Sequence, residues 1–448
     1  MTYDCLFQGD LMLERGLVRD GALGVTAGRI AGVHGTGERP AARRTYDFSG
    51  RYLLPGLIDS HVHAGSFETE TMTSTTASAA AGGVTTIVDM PYDRLGPVRG
   101  RARLAEKIEE VEREAIVDVG LYGTMPKTDG VEVLDGLLEG GVCAFKFSLF
   151  EYSADRFPRI EDGDLVEAFH RLSESGVAIV LHNELQEVVD YYSRPVSGTT
   201  EADDPLSHGR THPVVSETAA SVKALDFAYW TGARLHLAHC SHPQTFRLIA
   251  SYRDMGAHVS GETCAHYLAL SEDDVVELGP PAKVNPPIRN SAARKGLWDE
   301  LRAGNVATIS TDHAPWPIEL KETSMFAAVA GMPGLETFLP ALYTAGNERE
   351  VDFHQVIPLV TSGPAEIFGL GGRKGRLEPG FDADITVFDG RRPWTYRAEN
   401  QVSGAKWSPF DGFEFDGKVE ATFLRGMPVF EDGQVVGEPG NGEWLRRE

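Results

Sequence analysis

Between Leu53 and about Leu370 the chain repeats one pattern eight times: a short apolar run, then a stretch of helical composition. The runs are Leu57–His63, Val84–Met90, Val117–Tyr122, Val142–Leu149, Val177–His182, Arg234–His239, His258–Cys264 and Val306–Asp312. Helical segments between them include Arg101–Ala115, Asp164–Ser175, Glu217–Trp230 and Ser291–Ala303. A parallel strand covered on both faces reads as a continuous apolar run, and reaching the next parallel strand needs a crossover, usually a helix. Eight such units fit an α/β fold of the (β/α)8 barrel type, with an open doubly wound sheet as the alternative. At 448 residues the chain is long enough for that barrel and an appendage.

The appendage is read from both ends. Val25–Val33 and Thr45–Tyr52 alternate loosely; Ala383–Phe388 reads as a strand, and Val419–Val436 as two strands joined around Glu431-Asp432-Gly433. Asp-Gly between apolar runs is a strong hairpin signal. The expected division is residues 1–52 and 371–448 in one small β-sandwich, with 53–370 as the barrel.

Composition narrows the functional classes. Lys+Arg number 42 against 66 Asp+Glu, a formal charge of -24 with pI near 5.0. A surface this acidic repels phosphate backbones and anionic lipid, which argues against nucleic-acid and membrane-surface partners. No apolar run approaches the roughly twenty residues of a membrane span. Residues 1–10 lack the basic and apolar regions of a signal peptide, and the four cysteines form no CxxC pair. A reducing cytoplasm is the expected location.

Several runs end in a residue able to bind a metal. In Asp59-Ser60-His61-Val62-His63 the imidazoles are two apart, so on a strand both face one side and reach one cation. Lys146 interrupts the apolar Ala144-Phe145-Lys146-Phe147-Ser148. It reads either as a lysine snorkelling from a barrel end or as a buried amine of lowered pKa. A neutral amine can react with carbon dioxide to give a carbamate, whose two oxygens can bridge two metals. His182, His239 and Asp312 each close a run; odd-even parity places His236 on the face opposite His239. Cys240 beside His239 is read as a small buried residue rather than a nucleophile, and His266 as a structural residue near the barrel mouth. Residues 325–339, interrupted by Gly331 and Gly334, read as a loop over the site.

These residues carry a resemblance. Pro55-Gly56-Leu57-Ile58-Asp59-Ser60-His61-Val62-His63, Ala81-Gly82-Gly83-Val84-Thr85-Thr86, Asp89-Met90-Pro91, Phe145-Lys146, Glu262-Thr263-Cys264-Ala265-His266-Tyr267-Leu268 and Gly380-Phe381-Asp382-Ala383-Asp384 resemble, in order, motifs of the amidohydrolase superfamily. The similarity is to its cyclic-amide hydrolases: hydantoinases and dihydropyrimidinases, allantoinases and dihydroorotases. The resemblance implies two divalent metal ions, usually zinc. His61 and His63 would hold the more buried one, carbamylated Lys146 would bridge the pair, and His182 and His239 would hold the second. Asp312 would complete the coordination of the first metal and serve as general base. It also implies a small cyclic amide or ureide as substrate and a homotetramer.

Within the family the motifs point several ways. Gly65 stands where dihydroorotases have an arginine, and Tyr92 follows Pro91 where they have asparagine. Lys283-Val284-Asn285-Pro286-Pro287-Ile288-Arg289 nevertheless resembles a dihydroorotase segment, with Asn285 hydrogen-bonding the ring amides. The tyrosine of hydantoinases, five residues after the bridging lysine, is here Glu151, with Tyr152 one place later as the candidate oxyanion donor. Asp312-His313-Ala314-Pro315 is similar to allantoinases. The expected activity is hydrolysis of a hydantoin, dihydropyrimidine or allantoin ring. The alternatives are a dihydroorotase-like or other amide hydrolase, or a non-catalytic scaffold on the same fold.

Overall fold

The computed structural model describes residues 2–448. Four strands open the chain: β1 (Tyr3–Leu13), β2 (Gly16–Thr26), β3 (Arg29–His34) and β4 (Ala42–Pro55). Eight parallel strands follow, each fully or almost fully buried: β5 (Leu57–Val62), β6 (Val84–Asp89), β7 (Asp118–Gly123), β8 (Ala144–Ser148), β9 (Ala178–His182), β10 (Leu235–Leu237), β11 (Val259–Cys264) and β12 (Thr308–Ser310). They pair in chain order, and the seam between β12 and β5 is bridged at Val62 and His313. Two hydrogen bonds fasten it, His63 N to His313 O at 3.0 Å and His313 N to His61 O at 3.2 Å. The architecture is therefore the expected barrel rather than an open sheet. Helices such as Arg101–Glu114, Asp162–Leu172, Val214–Thr231 and Ser291–Arg302 cover its outside.

β10 and β12 stop short of the runs read from sequence, and the reason bears on the site. His239 and Asp312, two residues beyond their strands, have φ of 38° and 49°. Left-handed backbone at non-glycine residues costs on the order of 1 kcal/mol each, so the chain leaves its ladder to turn these two side chains. The same break defeats the parity argument for His236. Its ring also points into the barrel, Nδ1 2.8 Å from Ser260 Oγ and Nε2 3.1 Å from Thr308 Oγ1, two strands away. His236 is separated from the site by depth and by having both nitrogens occupied, not by facing outward.

The two ends of the chain meet in one eight-stranded sheet. Its order runs from Gln434–Val435 through Met427–Glu431, Lys418–Leu424 and β13 (Ile385–Asp389) to β4, β1, β2 and β3. Phe7 on β1 lies 4.8 Å from Phe423, centroid to centroid, although two strands separate theirs. At about 4.8 Å per strand a flat sheet would hold those backbones three spacings apart, so the sheet curls over its own core in the manner of the expected sandwich. Two-residue turns with both φ positive fall at Ala27-Gly28, within the loosely alternating Val25–Val33, and at Arg425-Gly426, which divides the first of the two strands read in Val419–Val436; Asp432-Gly433 makes the expected hairpin turn. β4 passes into β5 through Gly56 alone, so the sheet fixes where the first barrel strand begins.

Candidate metal centre

Barrel sites lie at the C-terminal ends of the strands, where the βα loops converge. There one cavity is lined by His61, His63, Lys146, Tyr152, His182, His239, Asn285 and Asp312 together, every site residue expected from the sequence. Glu151, one place before Tyr152, instead pairs with Lys127 away from the cavity.

The donors meet in two groups. His61 Nε2 is 3.2 Å and His63 Nε2 3.3 Å from the same oxygen, Asp312 Oδ1. His182 Nδ1 lies 3.0 Å from His239 Nε2. Two ligand atoms each 2.0–2.1 Å from a tetrahedral cation stand roughly 3.3 Å apart, close to each of these spacings. Lys146 Nζ lies 3.5 Å from His61 Nε2, and the His61 and His239 rings are 5.2 Å apart.

Neighbouring carboxylates decide which ring nitrogens can bind. Glu262 is fully buried; burial would raise its carboxyl, but His61, His236 and Lys146 together outweigh it and hold the group down at about 2. An ionised carboxylate only accepts, so His61 Nδ1–H donates to Glu262 Oε1 at 2.9 Å and the Nε2 lone pair faces the cavity. Glu184 does the same for His182: His182 Nε2–H donates to its Oε2 at 3.0 Å, leaving Nδ1 toward His239. The other Glu184 oxygen accepts from His212 Nδ1 at 2.8 Å. Burial, then His182 and Lys146, hold the His239 ring well below its usual range, and its Nδ1 has no partner. Burial lowers His63 likewise. Neutral imidazoles with lone pairs turned inward are the state a cation needs.

Burial drives the Lys146 amine down to about 8, partly offset by Glu262 and Asp312. The Asp312 carboxyl, which burial would raise, is held well below the usual range by His61, His63 and His239. Asp59, buried below, receives His61 N at 3.2 Å and Thr311 N at 3.2 Å, so one carboxylate positions donors on both sides of the seam. The donor set fits a pair of divalent cations: imidazoles, one ionised carboxylate and an amine able to become anionic.

The rest of the cavity is aromatic, with Phe67, Tyr92, Phe150, Phe157 and Trp316 in its wall. Asn285 Oδ1 is buried without a partner. Tyr152 lines the wall but donates its hydroxyl to Ala330 O at 3.1 Å. Ala330 and Gly331 bring the expected covering loop onto the cavity. Gly65, in the turn after His63, has φ 71°, and a Cβ there would lie 3.3 Å from Asp93 Oδ1 and Lys107 Nζ. A side chain at that position would have to adopt the left-handed backbone and push those two neighbours back by a few tenths of an ångström. Cys240 is buried, its thiol pushed well up by burial, and is not part of the lining. His266 is buried outside the lining as well.

Sequence reading assigned no role to Glu262, Glu184 or Asp59. A charged residue inside an apolar strand, the signal that drew attention to Lys146, was present at Glu262 and at Asp59. An acidic triplet, Asp118, Asp382 and Asp384, closes around the ammonium of Lys374, 2.9 Å from Asp382 Oδ2, at the opposite end of β7.

Comparison with known proteins agrees with this geometry. The model of the amidohydrolase family matches residues 52–436. The allantoinase of Deinococcus radiodurans is 33% identical over 454 residues, covering 100% of this chain and 99% of that protein. The L-hydantoinase of Paenarthrobacter aurescens is 30% identical over 436 residues, covering 94% and 93%. Among solved structures, the L-hydantoinase (dihydropyrimidinase) from Arthrobacter aurescens superposes with a TM-score of 0.95 at 29% identity over 100% of both chains. With its barrel, its strand-end donors and a family match across most of its length, the chain belongs to the amidohydrolase family.

Proposed function

We propose that the protein opens a cyclic amide ring by hydrolysis at a binuclear metal site. The observation that carries this reading is the convergence of six donors from the ends of five barrel strands on one aromatic cavity. Two divalent cations, zinc by resemblance, supply the Lewis acidity that acidifies water at neutral pH and polarises an amide carbonyl. His61, His63 and Asp312 would hold one and His182 and His239 the other, with Lys146 as the residue that would bridge them. The Lys146 amine attacks carbon dioxide through its lone pair and releases a proton to solvent, leaving a carbamate with two oxygens toward the donors. Asp312 takes a proton from the attacking water and returns it to the ring nitrogen as the carbon–nitrogen bond breaks. Asn285, with its unpartnered oxygen, accepts from a ring N–H. Tyr152 must exchange Ala330 O for the substrate if it is to stabilise the oxyanion.

The aromatic wall favours a ring bearing an apolar substituent over the polar ureido arm of allantoin. A hydantoin is therefore placed ahead of allantoin, dihydropyrimidines and dihydroorotate. Residues 53–370 are read as the catalytic barrel and 1–52 with 371–448 as its companion sheet. A homotetramer in the cytoplasm completes the reading; no helix among the described residues is long and apolar enough to cross a membrane. The test is a panel of hydantoin, 5-benzylhydantoin, allantoin, dihydrouracil and dihydroorotate with the metal-loaded protein, scored by the ring-opened acid. Turnover of a hydantoin with two bound metals supports the reading; a folded, metal-loaded protein inert on every ring overturns it.

A further inference from the structure

Three loops close the cavity from one side: residues 63–71 after β5, 90–100 after β6 and 149–161 after β8. The first brings Phe67, the second Tyr92, the third Phe150, Tyr152 and Phe157. Tyr92 is the hub of this wall. Its ring meets His63, Tyr152 and Phe157 edge-on, with centroids 5.8, 5.7 and 6.0 Å away.

Arg156 stands behind that ring, outside the cavity lining. Its guanidinium carbon lies 4.2 Å from the Tyr92 centroid, and Nη2 donates to Ser66 O at 3.1 Å and to Tyr92 O. Ser66 Oγ donates to the same Tyr92 carbonyl at 2.9 Å. Arg156 itself sits in a tight turn, its N–H donating to Ser153 Oγ at 3.2 Å, between two hydrogen bonds joining Ser153 and Phe157. One residue therefore touches all three loops. In a chain of net charge -24 it makes no ion pair with a carboxylate among the described residues. Its charge is spent on two main-chain carbonyls and an aromatic face, a planar, directional arrangement that an ammonium cannot reproduce.

We infer that Arg156 is a positioning residue for substrate selection: it locks the three loops through Tyr92 and so fixes the pocket that receives the ring substituent. This rests on the cyclic-amide reading above. It places Arg156 apart from metal binding, because none of its contacts is a metal-donor side chain.

The test compares the metal-loaded protein with Arg156→Ala and Arg156→Lys. Metal content, hydrogen exchange by mass spectrometry, and kcat and KM on hydantoin and 5-benzylhydantoin are measured. Both variants are expected to keep their metal. Exchange should rise in segments 64–67 and 91–96, and KM for the substituted ring should rise by about tenfold, several times more than for the bare ring. The lysine variant should resemble the alanine one, since charge without the planar fork does not restore the contacts. Unchanged exchange in those segments, full rescue by lysine, or equal loss on both rings accompanied by loss of metal would each overturn the assignment. Because exchange and metal content need no substrate, they judge the lock even if the protein proves inert on all cyclic amides.

Discussion

His182 turns Nδ1 to Nε2 of His239 at 3.0 Å, and Glu184 on its far nitrogen determines that it does so. A ring held from one side by an ionised carboxylate has a fixed tautomer, and the opposite lone pair is free. Glu184→Gln removes that fixed choice while keeping the volume. Metal affinity is expected to fall about 10–100-fold at one of two sites, read by competitive chelator titration with stoichiometry. Unaltered affinity at both sites would show that His182 needs no such support.

Lys146→Ala removes the amine on which the proposed carbamate bridge would form. Most bound metal should be lost and activity should fall more than about a hundredfold. Millimolar acetate or propionate should restore part of both, because a free carboxylate can occupy the vacated space. High activity in a metal-replete variant without added carboxylate would exclude the bridge.

Asp312→Asn separates proton transfer from binding. The amide keeps an oxygen near His61 and His63 but cannot take up a proton. Turnover is expected to fall about 10²–10⁴-fold, with at least one metal retained in elemental analysis. Near-normal turnover would remove Asp312 as the base.

Stability against pH should report the cluster far from the site. Burial would raise the Asp118 carboxyl, but Lys374 and Arg425 outweigh it and hold the group below the ordinary range. Burial would lower Lys374, but Asp118, Asp384 and Asp382 raise it above its ordinary value. The lowered acid contributes stability above its unfolded pKa, which is lost as pH falls through the folded one. The raised amine contributes below its unfolded pKa and loses it as pH climbs through the folded one. Lys374→Met leaves three buried carboxylates short of a partner and should cost about 3–5 kcal/mol, seen in urea melts at neutral pH. The deficit should shrink toward acid pH as those carboxyls take up protons; a deficit independent of pH would mean lost packing instead.

How much of this was readable beforehand follows from where the information lies. Strand-end donors such as His61 and His182 are visible because apolar runs mark the strands and the donor closes each run. Glu184 and Glu262 escaped because their role depends on which ring nitrogen they face, a fact of three-dimensional placement. His236 was set aside for the wrong reason: parity holds only while a strand stays regular, and β10 ends at Leu237. The Arg425-Gly426 turn was missed because Gly alone, without Asn or Asp before it, is a weaker hairpin signal. The arrangement around Arg156 joins main-chain carbonyls, which carry no side-chain signature at all.

The passage from β4 into β5 has a bearing on how the molecule is made. β4 lies between β1 and β13, so one edge of it waits unpaired until the ribosome has produced the entire barrel and then Ile385–Asp389. Throughout synthesis that edge is open to any other nascent strand. Slow elongation or chaperone cover during this interval, rather than the strength of the finished core, should govern how much active protein a cell recovers.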